Sequence, residues 1–128
     1  MSMNGWDITL DIEDIFIKPY VRMTKRGKWV KPQAKEYLAS KSNLQWKIKE
    51  QMQEHGYHMM PEQEPLYASA IVYVHTSQGH RADLDNILKA ILDACNGIVY
   101  PDDRWIDSIN INREIGDEEH LSLLVGVK

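Results

Sequence analysis

The stretch DLDNILKAILDACNGIVYPDD, residues 83–103, decides the architecture that we predict for this chain. Apolar side chains recur in it at helical spacing, which predicts an amphipathic helix over residues 83–96, and Gly97 is a natural C-terminal stop. Several carboxylates surround this single helix. Such a density of acids has two ordinary explanations: they cap and solvate the helix, or they bind a hard divalent cation.

Outward from this helix, the chain alternates between strands and one further helix. Alternating apolar residues predict strands over residues 6–12, 66–76, 106–112 and 121–127, and a second helix is predicted over residues 33–55. We expect the last two strands to run antiparallel, joined by a turn at Gly116-Asp117. The order predicts one α+β domain over residues 1–128, with helices packed on one face of a mixed sheet.

Composition favours a protein of a reducing compartment. No apolar run approaches the roughly 20 residues of a membrane span, and the N-terminus lacks the pattern of a secretory signal. The single cysteine, Cys95, cannot form an intramolecular disulfide and falls on the apolar side of its helix. We therefore expect Cys95 to be a core thiol, the chain to be cytoplasmic, and no membrane to be a partner.

Charge is distributed very unevenly along the chain. The net charge is −4, but ten of the 15 basic residues and a single acid fall within residues 18–49, whose net charge is +9. The remainder carries −13. A basic arm and an acidic body suit a phosphate-binding surface beside a metal site. The alternative is a solvated basic helix face, which explains Lys41 to Lys49 well and Arg22 to Lys31 poorly.

Residues 18–31 read as irregular chain, interrupted by Pro19 and Gly27. Basic and aromatic side chains together suit contacts with phosphates and stacking on bases. A plain surface hairpin around Gly27 explains the same residues equally well. On the first interpretation, the side chains that bind nucleic acid are Arg22, Lys25, Arg26, Lys28 and Lys31.

The carboxylates can converge under one condition. Asp83 and Asp85 can reach one ion if Asp83 lies on the extended entry to the helix and Asp85 in its first turn. From Asp85 to the helix end the rise is about 16 Å, and residues 97–103 span at most about 23 Å, so Asp102 or Asp103 could also return to the helix. The alternative is structural: a capping Asp83, an i,i+4 series from Asp85 through Lys89 to Asp93, and ordinary turn chemistry.

Ligand type narrows the choice of metal. An EF-hand is excluded, because its loop requires glycine at the sixth position, where this chain has Leu88. Ligands that are all oxygens point to Mg²⁺ or Mn²⁺ rather than zinc. The five histidines form no convincing ligand set, and only His80 is a candidate for the rim of the site.

Residues 81–93, followed by the run DDRWI at 102–106, resemble the RusA family of Holliday-junction resolvases. The resemblance is carried by Asp-Leu-Asp-Asn, a lysine four residues beyond the second Asp, and the later Asp-Asp pair. This combination is far more specific than Asp-Leu-Asp alone. Residues 18–35, with Tyr37 after them, are similar to the family's N-terminal region, so the resemblance covers most of the chain.

The resemblance implies a small homodimer that cuts four-way DNA junctions and depends on a divalent metal, Mg²⁺ or Mn²⁺. By matching position, Asp83, Asp85 and Asp103 would be the metal ligands and Lys89 would lie beside them. Asp102 is the weaker member of its pair. The family often has a basic residue directly before the first Asp; here that residue is Ala82, and Arg81 could supply the contact with DNA.

These expectations combine into one hypothesis and three alternatives. Residues 81–107 would form the catalytic segment and residues 18–35 a DNA-contacting segment of a nuclease that nicks branched DNA symmetrically, with Asp93 orienting its neighbours. Tyr20 and Trp29 could insert at the crossover or pack locally. The compartment would be a bacterial cell, or the host cell of a phage. The alternatives are a flap or branched-DNA nuclease, a non-catalytic DNA-binding module, and a protein-interaction domain.

Overall fold

The computed structural model describes residues 7–20, 32–75 and 82–128. In chain order, the elements are β1 (Ile8–Glu13), α1 (Pro32–Glu54), β2 (Leu66–Val74), α2 (Leu84–Cys95), a short 3₁₀ helix (Asp103–Trp105), β3 (Ile106–Ile115) and β4 (His120–Val127). The predicted α+β class is confirmed, because two helices and a four-stranded mixed sheet share a hydrophobic core. Neither α1 nor α2 is long and apolar enough to cross a membrane.

The predicted elements are present, within a few residues of their expected bounds. The largest difference is β3, which continues to Ile115 instead of ending at residue 112. Residues 6 and 76, at the ends of two predicted strands, lie outside the described residues, as do residues 21–31 of the basic segment.

The sheet has the strand order β1-β4-β2-β3, in which only β2 and β3 are parallel. The expectation that the last two strands run antiparallel is therefore correct in direction, but they do not pair with each other, because β2 lies between them. Burial explains this order. Every second residue of β2 is buried and the others are half-buried, whereas most of β3 is exposed. The apolar strand takes the central position and the polar strand takes the edge.

The core lies on one face of the sheet. Strand register brings buried side chains into rows across β1, β4 and β2, for example Leu10, Leu123 and Ala70. The two helices cover this face. Residues that α1 buries are Ala34, Tyr37, Leu44, Ile48 and Met52; residues that α2 buries are Ile87, Ala90, Ile91, Ala94 and Cys95. Cys95 is fully buried, as predicted, and burial raises its thiol pKa to about 12.

The chain reverses sharply after α2, and this reversal positions the acidic pair. Gly97 has a φ of +78°, in the left-handed region that glycine adopts without strain. Its N–H donates to the Tyr100 carbonyl at 2.8 Å, and the buried Tyr100 hydroxyl donates to the Leu92 carbonyl at 2.9 Å. The segment before β3 is thereby tied to the last turn of α2.

Candidate active site

One side of α2 carries a row of charged side chains. Asp85, Lys89 and Asp93 follow one another at intervals of four residues, so they share a face of the helix. Lys89 and Asp93 line a cavity of about 340 Å³ together with Tyr20, Leu92 and Asp103. The structure thus brings two of the four predicted catalytic residues, Lys89 and Asp103, to one cavity.

The side chains of Asp83 and Asp85 make no bond with the described residues that would stabilise the fold. Asp83 is the N-cap residue of α2, but its side chain makes no capping hydrogen bond. The Asp85 side chain makes no hydrogen bond or ion pair with a described residue, Lys89 included. The structural alternative for these two acids, capping and an i,i+4 ion-pair series, is therefore absent from the described part of the chain.

Asp93, by contrast, is held from the opposite helix. The Tyr37 hydroxyl donates a hydrogen bond of 2.6 Å to Asp93 Oδ2, and Lys41 Nζ lies 3.1 Å from the same oxygen. Tyr37 and Lys41 are one turn apart on α1. Burial, followed by the hydrogen bond to Asp93, raises the pKa of Tyr37, which therefore remains a donor at neutral pH. Asp93 joins α1 to α2 and is already occupied by two partners.

Asn96 holds Asp103 at two points. The Asn96 side-chain oxygen accepts a hydrogen bond from the Asp103 backbone N–H at 2.9 Å, and its amide nitrogen donates to Asp103 Oδ2 at 3.4 Å. Asp102 contributes separately, because its carboxylate accepts from the Arg104 N–H at 3.0 Å and caps the 3₁₀ helix. Asp103 lines the cavity, whereas the Asp102 side chain stabilises the start of the 3₁₀ helix.

Negative charge accumulates around Asp103. Burial is the largest effect and raises the pKa of its carboxyl above the usual value, while the hydrogen bond from Asn96 lowers it. The neighbouring charges of Asp102 and Asp93 raise it further. A carboxylate in this position is stabilised by any cation that approaches it.

The acids match a hard divalent cation in ligand type, but they are not assembled into a metal site. Carboxylate oxygens are the ligands that Mg²⁺ and Mn²⁺ prefer. Among residues 7–20, 32–75 and 82–128, however, no group of three His, Cys, Asp or Glu side chains is placed to hold an ion. Asp83 and Asp85 lie at one end of α2 and Asp103 at the other, and this helix of 12 residues is about 18 Å long. The ligand set of Asp83, Asp85 and Asp103 stays a prediction.

Tyr20 connects the basic segment to this site. Its ring lines the cavity and packs edge-on against Tyr37 with centroids 5.6 Å apart. Its backbone N–H donates to the Asn86 carbonyl, in the first turn of α2, at 3.0 Å. The local packing expected as one alternative for Tyr20 is present.

Several other predicted site residues lie outside the described part of the chain: Arg22, Lys25, Arg26, Lys28, Lys31, Arg81, Trp29 and His80. Three residues that hold the site were not singled out as functional from the sequence, namely Lys41, Tyr37 and Asn96. Tyr37 and Lys41 are spaced i,i+4, which is a usable signal on a helix. Asn96 before Gly97 reads only as a helix end, because its bond to Asp103 depends on the return of the chain.

A model of the family described as endodeoxyribonuclease RusA matches residues 17–125. The chain belongs to the RusA family. Membership implies an endonuclease of the kind that resolves Holliday junctions, and it confirms the resemblance drawn from residues 81–106. The match covers both helices, the cavity and strands β2 and β3 in full. No curated protein sequence matches the chain.

The charge on Asp103 should destabilise the metal-free protein. Folding raises this pKa, so the ionised carboxylate opposes folding at neutral pH, and the penalty disappears as the pH falls through the folded pKa to the unfolded value of about 3.9. Asp103→Asn should therefore raise the Tm in EDTA at about pH 8, with a gain that shrinks towards about pH 4. Asp117→Asn, at an exposed carboxylate away from the cavity, is the matched control. A lower Tm for Asp103→Asn at neutral pH would contradict this account.

Proposed function

We propose that this RusA-family chain is a metal-dependent endodeoxyribonuclease that resolves four-way DNA junctions by paired, symmetric nicks. Family membership supports the junction-cutting activity. The observation that carries the metal dependence is that the carboxylates of Asp83 and Asp85 are exposed and without a described partner, at the start of the helix whose Lys89 lines a cavity with Asp103. Acids that face a polyanionic substrate repel it unless a cation lies between them.

The metal would be Mg²⁺ or Mn²⁺, one ion or two; its proposed ligands are Asp83 and Asp85 at one end of α2 and Asp103 at the other. When bound, such an ion activates a water for attack on the scissile phosphate and neutralises the charge that develops there. Asn96 fixes the orientation of the Asp103 carboxylate. We assign Asp93 a positioning role, because its carboxylate is already bonded to Tyr37 and Lys41.

Among the described residues, Lys89 is the positively charged side chain that lines this cavity. An exposed ammonium on this wall can contact a phosphate oxygen and stabilise the negative charge of the transition state. We assign Lys89 this catalytic role.

We propose that the basic segment binds the DNA substrate. Arg22, Lys25, Arg26, Lys28, Lys31 and Arg81 are proposed to contact phosphates, which fixes the position of the DNA without reading its sequence. The place where the segment begins supports this, since Tyr20 lies against the cavity.

A homodimer is proposed because resolution requires two matched cuts. A four-way junction has approximate two-fold symmetry, and a dimer with two-fold symmetry presents two identical sites at a fixed separation. One subunit alone could nick a junction but would not resolve it.

One observation favours a second candidate, a non-catalytic DNA-binding module. The described residues contain no assembled group of three metal ligands. Such a module would bind branched DNA in the same way and leave it uncut.

Junction cleavage separates the candidates. Wild-type protein should place paired nicks in a labelled four-way junction with Mg²⁺ or Mn²⁺, leave linear duplex of the same sequence intact, and cut nothing in EDTA. Asp85→Asn should lower the cleavage rate by about 100-fold or more, because the cation that neutralises the charge of the transition state loses a ligand. Asp117→Asn should cut normally. Tight binding without cutting would favour the binding module, and equal cutting of flaps and junctions a broader nuclease.

Replacing Asn96 should weaken metal binding because it releases Asp103, and not because it destabilises the fold. Asn96→Ala removes both contacts to Asp103, and losing a residue that orients a metal ligand costs about 10- to 100-fold in metal affinity or activity. Calorimetric titration with Mn²⁺ measures the affinity independently of cleavage. Asn43→Ala, at an exposed position on α1, is the control. Unchanged Mn²⁺ affinity in Asn96→Ala would show that Asp103, or its orientation by Asn96, does not contribute to metal binding.

The basic segment should determine how binding depends on salt. Each phosphate contact contributes about 0.9 to the slope of log affinity against log salt concentration. Replacing Lys25 and Arg26 together with alanine should therefore reduce the slope for a junction by about 2, measured by fluorescence anisotropy in EDTA. Lys128→Ala, at the end of β4, should leave the slope unchanged. An unchanged slope in the double variant would place the DNA elsewhere.

A further inference from the structure

One charged residue interrupts the apolar side of β3. In the regular pairing with β2, over residues 108–115, the side of β3 that faces the helices carries in order Ile109, Ile111, Arg113 and Ile115. Register places Arg113 beside the buried Val72, at the end of a row of apolar side chains that crosses the sheet. A fourth isoleucine would continue this row, so local packing does not explain the arginine.

The Arg113 side chain reaches the start of α2. Its Nη2 donates a hydrogen bond to the backbone carbonyl of Ala82, 31 residues earlier in the chain. Its Nε is buried and has no hydrogen-bond partner within the part of the chain that the structure describes. A buried donor without a partner opposes folding, and an apolar side chain at this place would leave none. The guanidinium is therefore a costly way to fill the position.

The carbonyl that Arg113 holds lies at the entry to α2. Ala82 directly precedes Asp83, the N-cap residue, which has an extended backbone with φ −58° and ψ 132°. The Asp83 carbonyl accepts hydrogen bonds from the N–H groups of Asn86 and Ile87 at 3.1 Å each, so the first turn is built on this residue. Because the Asp83 side chain makes no capping bond, the acid does not fix its own position. Arg113 supplies a fixed point from β3.

Arg113 holds the backbone and leaves the neighbouring acids free. No ion pair joins its guanidinium to the carboxylate of Asp83 or Asp85 among the described residues. A cation that paired with these carboxylates would compete with a metal ion for them. A cation bonded to the preceding carbonyl can fix the chain without that competition.

We propose that Arg113 is a positioning residue of the metal site, which fixes the Ala82 carbonyl and thereby the backbone that presents Asp83 and Asp85 to the cation. This inference rests on the proposed function and deepens it. Two of the three proposed ligands belong to one short segment, so a single contact at its start orients both. The role also explains why a charged residue stands on the apolar side of an edge strand.

Amide exchange tests the contact in metal-free protein. Arg113→Met removes the donor and keeps an unbranched apolar side chain. In EDTA, the amides of Asn86 and Ile87 should exchange with solvent at least about tenfold faster, as expected for the loss of one hydrogen bond to a charged group. The amide of Ala94, in the last turn of α2, should exchange at the wild-type rate when followed by NMR. Unchanged exchange at Asn86 and Ile87, or equal acceleration along the whole helix, would overturn the proposal.

Calorimetric titration with Mn²⁺ tests the consequence for the cation. Arg113→Met should weaken Mn²⁺ binding by about tenfold or more, as expected for a residue that orients metal ligands. Arg113→Lys keeps a donor for the single carbonyl and should recover most of the affinity. Lys128→Met removes the same charge just after β4 and should bind Mn²⁺ like the wild type. Unchanged affinity in Arg113→Met, or an equal loss in Lys128→Met, would overturn the proposal.

The wild-type protein separates this inference from the proposed function. Wild-type protein that binds no Mn²⁺ would overturn the proposed metal dependence, and this inference with it. Wild-type protein that binds Mn²⁺ and cuts junctions, beside an Arg113→Met variant of equal Mn²⁺ affinity, would overturn only the role of Arg113.

Discussion

The candidate site depends on the two hydrogen bonds by which the Asn96 side chain holds Asp103 in place. A partly buried carboxylate with two acidic neighbours is unfavourable in isolation, and the Asn96 amide keeps it in place by bonding both its backbone and its side chain. That hold exists only because Gly97 reverses the chain in a conformation that other residues adopt with strain. The same reversal lets β3 run parallel to β2, so the topology of the sheet and the position of Asp103 have one cause.

The acids of α2 divide into those that stabilise the fold and those that do not. Asp93 pairs with Tyr37 and Lys41 and joins the two helices, and Asp102 caps the 3₁₀ helix. Asp83 and Asp85 make no such contact with the described residues. Charge that the fold leaves without a partner contributes little to stability, and positions of this kind are where function is expected to override local consistency. The absence of partners, more than the number of acids, supports their assignment to a cation.

The sheet edges show a similar division. Three side chains from α1 and the following loop close β1, while no described residue hydrogen-bonds to the outer side of β3.

The sequence by itself determined the class of fold, the bounds of most elements, the buried Cys95 and the family, because each follows from local periodicity or from a motif within one segment. It also predicted Asp83, Asp85, Lys89 and Asp103 as a set, of which the structure brings Lys89 and Asp103 to one cavity. It did not determine the strand order, which placed β2 between β3 and β4, since pairing depends on burial across the whole sheet. Nor did it reveal that Asn96 holds Asp103, or that Tyr37 and Lys41 occupy Asp93. These are contacts between residues brought together by the reversal at Gly97 and by the packing of α1 on α2, and only the tertiary structure decides them.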